Sequence, residues 1–189
     1  MTQKFRVIFI HGNETIRWSY LWTPWLKEEL EKLGLDVIFE TFPDSIMARK
    51  EYWLEFLGKD YLKADEHTLL IGHSSGATAA MKFAEENTIF GSILISPSYT
   101  DLGLESERVS GWYDDPWNWD KIRKNQKFIG LFYSKNDEII PLQEFLEIQE
   151  KIKPDEVRAF ETNGHFIKQR TFPEVVASVS QLLEDKNSE

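Results

Sequence analysis

The sequence predicts an α/β fold in three layers, with a mostly parallel six-stranded sheet and helices on both faces. Six short apolar runs rich in β-branched and aromatic residues are separated by segments with apolar residues at helical spacing. Runs without polar alternation are typical of strands buried on both faces. Strands that alternate with helices favour parallel pairing. The length of 189 residues predicts one domain, 1–189, with a substantial core.

The first half of the chain is predicted to hold three strands and three helices. The glycines Gly34 and Gly58 follow the first two helices, as expected for residues that end a helix. The predicted strands are 4–10, 35–40 and 68–71, and the predicted helices are 18–30, 46–57 and 77–86.

The second half continues the alternation and ends in a polar segment, 184–189, that we expect to be flexible. The predicted strands are 89–96, 127–133 and 157–160, and the predicted helices are 142–152 and 172–183.

A Trp-rich insertion at 97–126 interrupts the alternation of strands and helices. Insertions of about thirty residues at the carboxyl edge of a sheet are usually functional. Trp112 and Trp117 are therefore candidates, with His11 and Phe166, to line a substrate pocket or a lid over it. The alternative, equally weighted, is that Trp117 and Trp119 only anchor a helix at 120–124 to the body of the protein.

The apolar run at 68–71 leads into Gly72-His73-Ser74-Ser75-Gly76 and then into an Ala-rich helix. This strand, sharp turn and helix are typical of a nucleophile elbow, which lifts a serine clear of the sheet. Ser74 is the predicted nucleophile, and the N–H of Ser75, near the start of the helix, is a predicted oxyanion donor. The alternative is a Gly/Ser turn that joins two core elements.

A serine hydroxyl needs an adjacent base, and the chain has four histidines. His165 is favoured, because it lies in the loop after the sixth predicted strand and follows the flexible Gly164. For His11 and His73, at the edge of the site, a structural hydrogen-bonding role is favoured, and His67 is predicted at the surface.

A carboxylate must orient the base. Asp137, after the fifth strand, is the predicted acid; Glu138 is the second choice, and either residue has the alternative role of capping the turn before Pro141. The order Ser74, Asp137, His165 is that of the α/β-hydrolases. In that fold the second oxyanion donor follows the first strand, where the N–H of Asn13 is the candidate.

Composition excludes several other classes. The net charge of −10 and the pI near 5.0 argue against nucleic acid or an anionic membrane as partner. The absence of cysteine removes disulfides, thiolate metal sites and a cysteine nucleophile, and fits a reducing cytoplasm, the predicted location.

The chain resembles the small serine hydrolases grouped with retinoblastoma-binding protein nine and their bacterial relatives of the YdeN type. The matching positions are Pro43-Asp44, Ala48-Arg49, Ile71 to Ala77, Asp101-Leu102-Gly103, Glu107-Arg108, Ser110-Gly111, Pro116-Trp117, Asn136-Asp137 and Gly164-His165-Phe166. The resemblance implies a reduced α/β-hydrolase whose triad falls on Ser74, Asp137 and His165. It also implies hydrolysis of small esters or amides, with aminopeptidase-like activity in some members.

The chain differs from the family at 62–66. Ala64 stands where the L-x-C-x-E motif linked to retinoblastoma binding has its cysteine, so that partner is not predicted.

The sequence predicts a serine hydrolase that acts on a small acyl or aminoacyl substrate through an acyl-enzyme on Ser74, with neither cofactor nor metal. The alternatives are an interaction module on a hydrolase scaffold and an acyltransferase. A metal hydrolase built from His11, His73 and Asp137 is least favoured, because the sequence lacks the spacing typical of a zinc site.

Overall fold

The computed structural model describes residues 5–188, with side chains up to residue 185. Lys4, the first residue of the first predicted strand, and Glu189, the last of the predicted flexible segment, lie outside this range. Six parallel strands form one sheet in the order β2-β1-β3-β4-β5-β6. The predicted fold class, a parallel sheet covered by helices, is confirmed.

The strands are β1 (Arg6–Ile10), β2 (Val37–Phe39), β3 (Thr68–His73), β4 (Gly91–Ile95), β5 (Phe128–Ser134) and β6 (Glu156–Phe160). The helices are α1 (Thr23–Lys32), α2 (Lys50–Leu57), α3 (Ser75–Glu86), α4 (Glu105–Ser110), α5 (Trp119–Lys124), α6 (Leu142–Ile152) and α7 (Pro173–Ser188).

Two apolar cores lie on opposite faces of the sheet, because successive side chains of a strand point to opposite sides. Ile8 and Ile10 of β1 face the core formed with α2, α3, α5 and α6. Val7 and Phe9 face the core formed with α1 and α7. The sheet is therefore held between two helical layers.

Two helices begin later than their apolar spacing predicts. α1 begins at Thr23 rather than residue 18, because Leu21 has φ 53° and Pro24 favours the first helical turn. α2 begins at Lys50 rather than residue 46, because Asp44 and Ala48 have φ near 50° in the preceding turn.

The last helix, α7, runs past residue 183 to Ser188. It therefore occupies most of the segment 184–189 that was expected to be flexible. No helix within residues 5–188 is both long and apolar enough to span a bilayer.

The direction in which successive strands are added across the sheet reverses at β1. From β1 the chain passes outward to β2, and then crosses back to β3 and proceeds to β6. Such a switch point opens a crevice at the carboxyl ends of the two strands, where ligands of α/β sheets bind. Gly12 follows β1 and Ser74 follows β3, so the topology brings these two loops together.

Candidate active site

Ser74 occupies a strained turn between β3 and α3. Its φ of 56° and ψ of −124° lie outside the conformations that side-chain-bearing residues favour. The flanking glycines allow the close approach: a Cβ on Gly72 would lie 2.3 Å from the Gly76 carbonyl oxygen, and one on Gly76 would lie 2.1 Å from that of Ile10. The Gly-x-Ser-x-Gly pattern is thus required by backbone contacts that hold Ser74 at the sheet edge.

The two predicted oxyanion donors are the N–H groups of Ser75 and Asn13. Ser75 is the first residue of α3, so its N–H has no acceptor inside the helix. The loop after β1 lies against the elbow, since a Cβ on Gly12 would be 3.3 Å from Ser74 Cβ. His11 Nδ1–H donates to the Gly12 carbonyl at 2.7 Å. In a planar trans peptide this directs the Asn13 N–H away from His11.

Asp137 and His165 form a buried hydrogen-bonded pair. His165 Nδ1 lies 2.8 Å from Asp137 Oδ2, and the two side chains are 4% and 1% exposed. Asp137 Oδ1 accepts from the N–H groups of Ile139 and Ile140, each at 2.9 Å. Burial raises the pKa of Asp137, but these bonds outweigh it and the net pKa lies below its ordinary value. The carboxylate is therefore ionised and holds the proton of His165 on Nδ1.

Glu138 contacts the same loop in a different way. Its Oε2 accepts from the His165 backbone N–H at 3.1 Å, and its Oε1 pairs with the exposed Lys168. It contacts no ring atom of His165 in these bonds. The neighbouring carboxylates thus have different contacts with His165: Asp137 orients the imidazole, and Glu138 binds the backbone N–H.

His11 and His73 are both buried and lie beside these groups. His11 Nε2 accepts from the Phe42 N–H at 2.9 Å. His73 Nε2 contacts the His165 carbonyl at 2.9 Å and its Nδ1 contacts the Tyr20 hydroxyl at 3.2 Å. Burial lowers the pKa of His11, and burial followed by the charge of His165 lowers that of His73 to about 3. Both histidines are neutral in the folded protein near neutral pH.

A cavity of about 420 Å³ opens at this edge and is lined by Ser74, His165, Asn13 and Ser75. Much of its wall is apolar, formed by Leu21, Leu102, Leu104, Ile139, Ile140 and Ile167. The insertion at 97–126 contributes to it through α4 and the residues before that helix. The cavity therefore places the predicted nucleophile, base and oxyanion donors around one space of substrate size.

The four residues predicted to line a substrate pocket do not line this cavity. His11 and Phe166 are fully buried, and Trp112 lies in the core with its indole N–H bonded to the Ala48 carbonyl at 2.7 Å. Trp117 stacks on Trp119 with ring centroids 5.2 Å apart. Trp112 belongs to the core that includes α3, and Trp117 and Trp119 pack against that core, a placement consistent with the alternative that these two residues anchor the helix at 120–124.

Three side chains at the site were not singled out in the sequence. Ser96 Oγ donates to Asp137 Oδ2 at 2.9 Å. Glu107 Oε1 accepts from Asn13 Nδ2 at 2.7 Å and ties α4 to the loop after β1. Burial raises the pKa of Glu107 above its ordinary value, and the hydrogen bonds from Asn13 and Tyr113 offset only part of that rise. Tyr20 lines the cavity. The resemblance included Glu107, but no local pattern indicated Ser96 or Tyr20.

The described residues contain no cluster of three or more histidine, aspartate or glutamate side chains arranged to hold a metal ion. The site therefore offers a serine hydroxyl, an imidazole whose Nδ1 is held by Asp137, and an ionised carboxylate. These are the parts that nucleophilic acyl transfer requires.

A family model described as Serine hydrolase matches residues 7–183. The chain belongs to the serine hydrolase family. It is therefore a hydrolase, and the predicted resemblance is confirmed. Serine hydrolase RBBP9 of Rattus norvegicus is 37% identical over 163 residues, 86% of each chain.

Bacterial relatives agree with this assignment. Putative hydrolase YdeN of Bacillus subtilis (strain 168) is 28% identical over 174 residues, 88% of each chain. The crystal structure of the ydeN gene product matches with a TM-score of 0.84 at 25% identity, over 99% of this chain and 100% of that one. Est1E from Butyrivibrio proteoclasticus matches with a TM-score of 0.71 over 100% of this chain and 90% of that one. At 16% identity that likeness shows the fold alone.

Proposed function

We propose that this serine hydrolase cleaves small carboxylic esters or amides through an acyl-enzyme on Ser74, with Asp137 and His165 completing the triad. The observation that carries the proposal is the buried Asp137–His165 pair, whose histidine lines the same cavity as the strained Ser74. An ionised carboxylate that fixes the Nδ1–H tautomer leaves the Nε2 lone pair to take a proton.

In the proposed reaction, His165 removes the proton of Ser74 as the hydroxyl oxygen attacks the acyl carbonyl. The negative charge of the tetrahedral intermediate is received by the N–H groups of Ser75 and Asn13. His165 then protonates the leaving alcohol or amine, and water, activated by the same base, releases the acid from the acyl-enzyme.

The cavity supports a small, mainly apolar acyl group. Glu14 and Glu107 also line the cavity, which disfavours an anionic substrate. Neutral acyl or aminoacyl compounds are thus the proposed substrates, and no other partner is needed. The proposed place of action is the cytoplasm, because a chain without cysteine has no need of an oxidising compartment.

The test is labelling of the purified protein with a fluorophosphonate, followed by mass mapping of the modified residue. We expect the adduct on Ser74 and a loss of labelling in Ser74→Ala and His165→Ala. Ser178→Ala is the control, because that hydroxyl bonds to Glu156 and to the Glu174 carbonyl, away from the cavity.

Absence of an adduct on folded wild-type protein would overturn the proposal and favour an interaction module on a hydrolase scaffold. An adduct on another serine would assign the nucleophile to that residue and contradict the role proposed for Ser74. Once Ser74 is labelled, competing alcohols and amines in the assay distinguish hydrolysis from acyl transfer by the products formed.

A further inference from the structure

His73 precedes the proposed nucleophile and reaches the loop that carries the proposed base. Its Nε2 lies 2.9 Å from the His165 carbonyl oxygen, which can only accept a hydrogen bond. Nε2 therefore carries the ring proton, and Nδ1 carries the lone pair. The Tyr20 hydroxyl, 3.2 Å away, must donate to Nδ1. One neutral tautomer of His73 satisfies both contacts.

Tyr20 lies next to the loop after β1. The Gly12 backbone lowers the pKa of Tyr20 against the larger rise caused by burial, and both residues line the cavity. Hydrogen bonds thus run from Tyr20 through His73 to His165. Gly12 is adjacent to Asn13 in sequence and His73 to Ser74, so each contact lies one residue from a proposed functional group.

We propose that Tyr20 and His73 are positioning residues, which fix the His165 loop relative to the segment that carries Tyr20 and to the Ser74 turn. The inference rests on the proposed function. His165 is held at its N–H by Glu138 and at its ring by Asp137; the bond from His73 is the one that fixes its carbonyl. Displacement of a catalytic group by about 1 Å costs on the order of a hundredfold in rate.

Two conservative variants separate the two ends of this arrangement. Tyr20→Phe removes the hydroxyl and keeps the ring. His73→Gln keeps an amide N–H as the donor for the His165 carbonyl, and its acceptor, the amide Oε1, no longer stands at the Nδ1 position that Tyr20 contacts. We expect each to lower kcat about tenfold with KM changed less than about twofold, since each variant shifts the proposed base but keeps a side chain of similar size on the cavity wall.

The double variant provides the decisive readout. If Tyr20 acts through His73, adding Tyr20→Phe to His73→Gln lowers kcat by no more than about twofold further, whereas independent effects multiply. Each kcat is calculated from the concentration of active sites, measured by titration with the fluorophosphonate, so that misfolded protein does not lower the value. Tyr133→Phe is the matched control, because it also removes a buried tyrosine hydroxyl. That hydroxyl lies 3.5 Å from Gln149 Oε1, and Tyr133 does not line the cavity.

The outcomes separate the two proposals. Wild-type protein that fails to label on Ser74 overturns the proposed function. Wild-type protein that labels, together with single variants that turn over like Tyr133→Phe or a double variant with multiplied losses, overturns the positioning role alone. A lower melting temperature with unchanged kcat per active site assigns both residues to stability and likewise overturns it.

Discussion

The carboxyl edge of the sheet and the Trp-rich part of the insertion, residues 112–119, both contain buried ring side chains, but they are organised differently. At the sheet edge, Asp137, His165 and His73 are held by hydrogen bonds that fix the orientation of each side chain. In the Trp-rich part, Trp112 and Trp117 pack on the body and each donates one indole N–H to a backbone carbonyl.

The difference shows that aromatic richness and length of an insertion do not identify a substrate site. Trp112 is fully buried against Trp53, so a ligand has no access to it. Of this insertion, the residues that reach the cavity are Ser98, Leu102, Leu104, Ser106 and Glu107. Buried polar groups that are fully paired at the end of parallel strands are the better indicator.

The largest effect that tests this comparison is expected within the polar edge, between Asp137 and Glu138. Asp137→Asn should lower kcat by about 10⁴-fold, because an amide in that place favours the wrong tautomer of His165. Glu138→Gln keeps an acceptor for the His165 N–H and loses a surface ion pair, so kcat should fall by less than about threefold. Steady-state kinetics on a small aryl ester provide the measurement.

Both variants should keep the wild-type circular dichroism, which serves as the control for folding. Greater damage from Glu138→Gln than from Asp137→Asn would make Glu138 the orienting acid and contradict the division of roles inferred from the hydrogen bonds.

The local patterns in the sequence were sufficient for the fold and for the candidate triad. The elbow can be recognised in the sequence because the close backbone contacts at positions 72 and 76 require glycine, and the two positions are only four residues apart. Asp137 and His165 were selected as candidates because each follows a predicted strand, and parallel strands bring their carboxyl ends to one edge. These inferences need only the order of elements along the chain.

The supporting contacts could not be predicted in this way. Ser96 reaches Asp137 because β4 lies beside β5, and the order of strands in the sheet was not part of the sequence prediction. Tyr20 reaches His73 from an irregular segment, bounded by Leu21 at φ 53°, that the apolar spacing assigned to a helix. Long-range pairing and a non-helical backbone leave no periodic signal.

A second prediction concerns the pH dependence of stability, which should differ between the two regions. Burial is the main cause that lowers the pKa of His73 from 6.5 to about 3, with the facing His165 and His11 lowering it further and Asp137 and the His165 carbonyl opposing. The unfolded chain therefore binds a proton between these values that the folded protein does not. Unfolding then becomes more favourable as pH falls from 6.5 toward 3.

His73→Gln removes this group and leaves His11, whose pKa is also lowered. From pH 7 to pH 5 the wild-type protein should lose up to about 2 kcal/mol more unfolding free energy than the variant. Urea unfolding at both pH values measures the difference. Parallel losses in the two proteins would show that His73 takes up its proton in the folded state.

The smallest effect on activity is expected from the Trp-rich part. Trp112→Phe removes the indole hydrogen bond to the Ala48 carbonyl and some core volume, and should cost about 2 kcal/mol of unfolding free energy. Trp112 does not line the cavity, so kcat and KM per active site should stay within about twofold of the wild-type values. The loss of stability should be the same at pH 7 and pH 5, in contrast to His73→Gln, because no titrating group is removed. A raised KM at unchanged stability would instead place Trp112 at the substrate, and the two regions would then share one function.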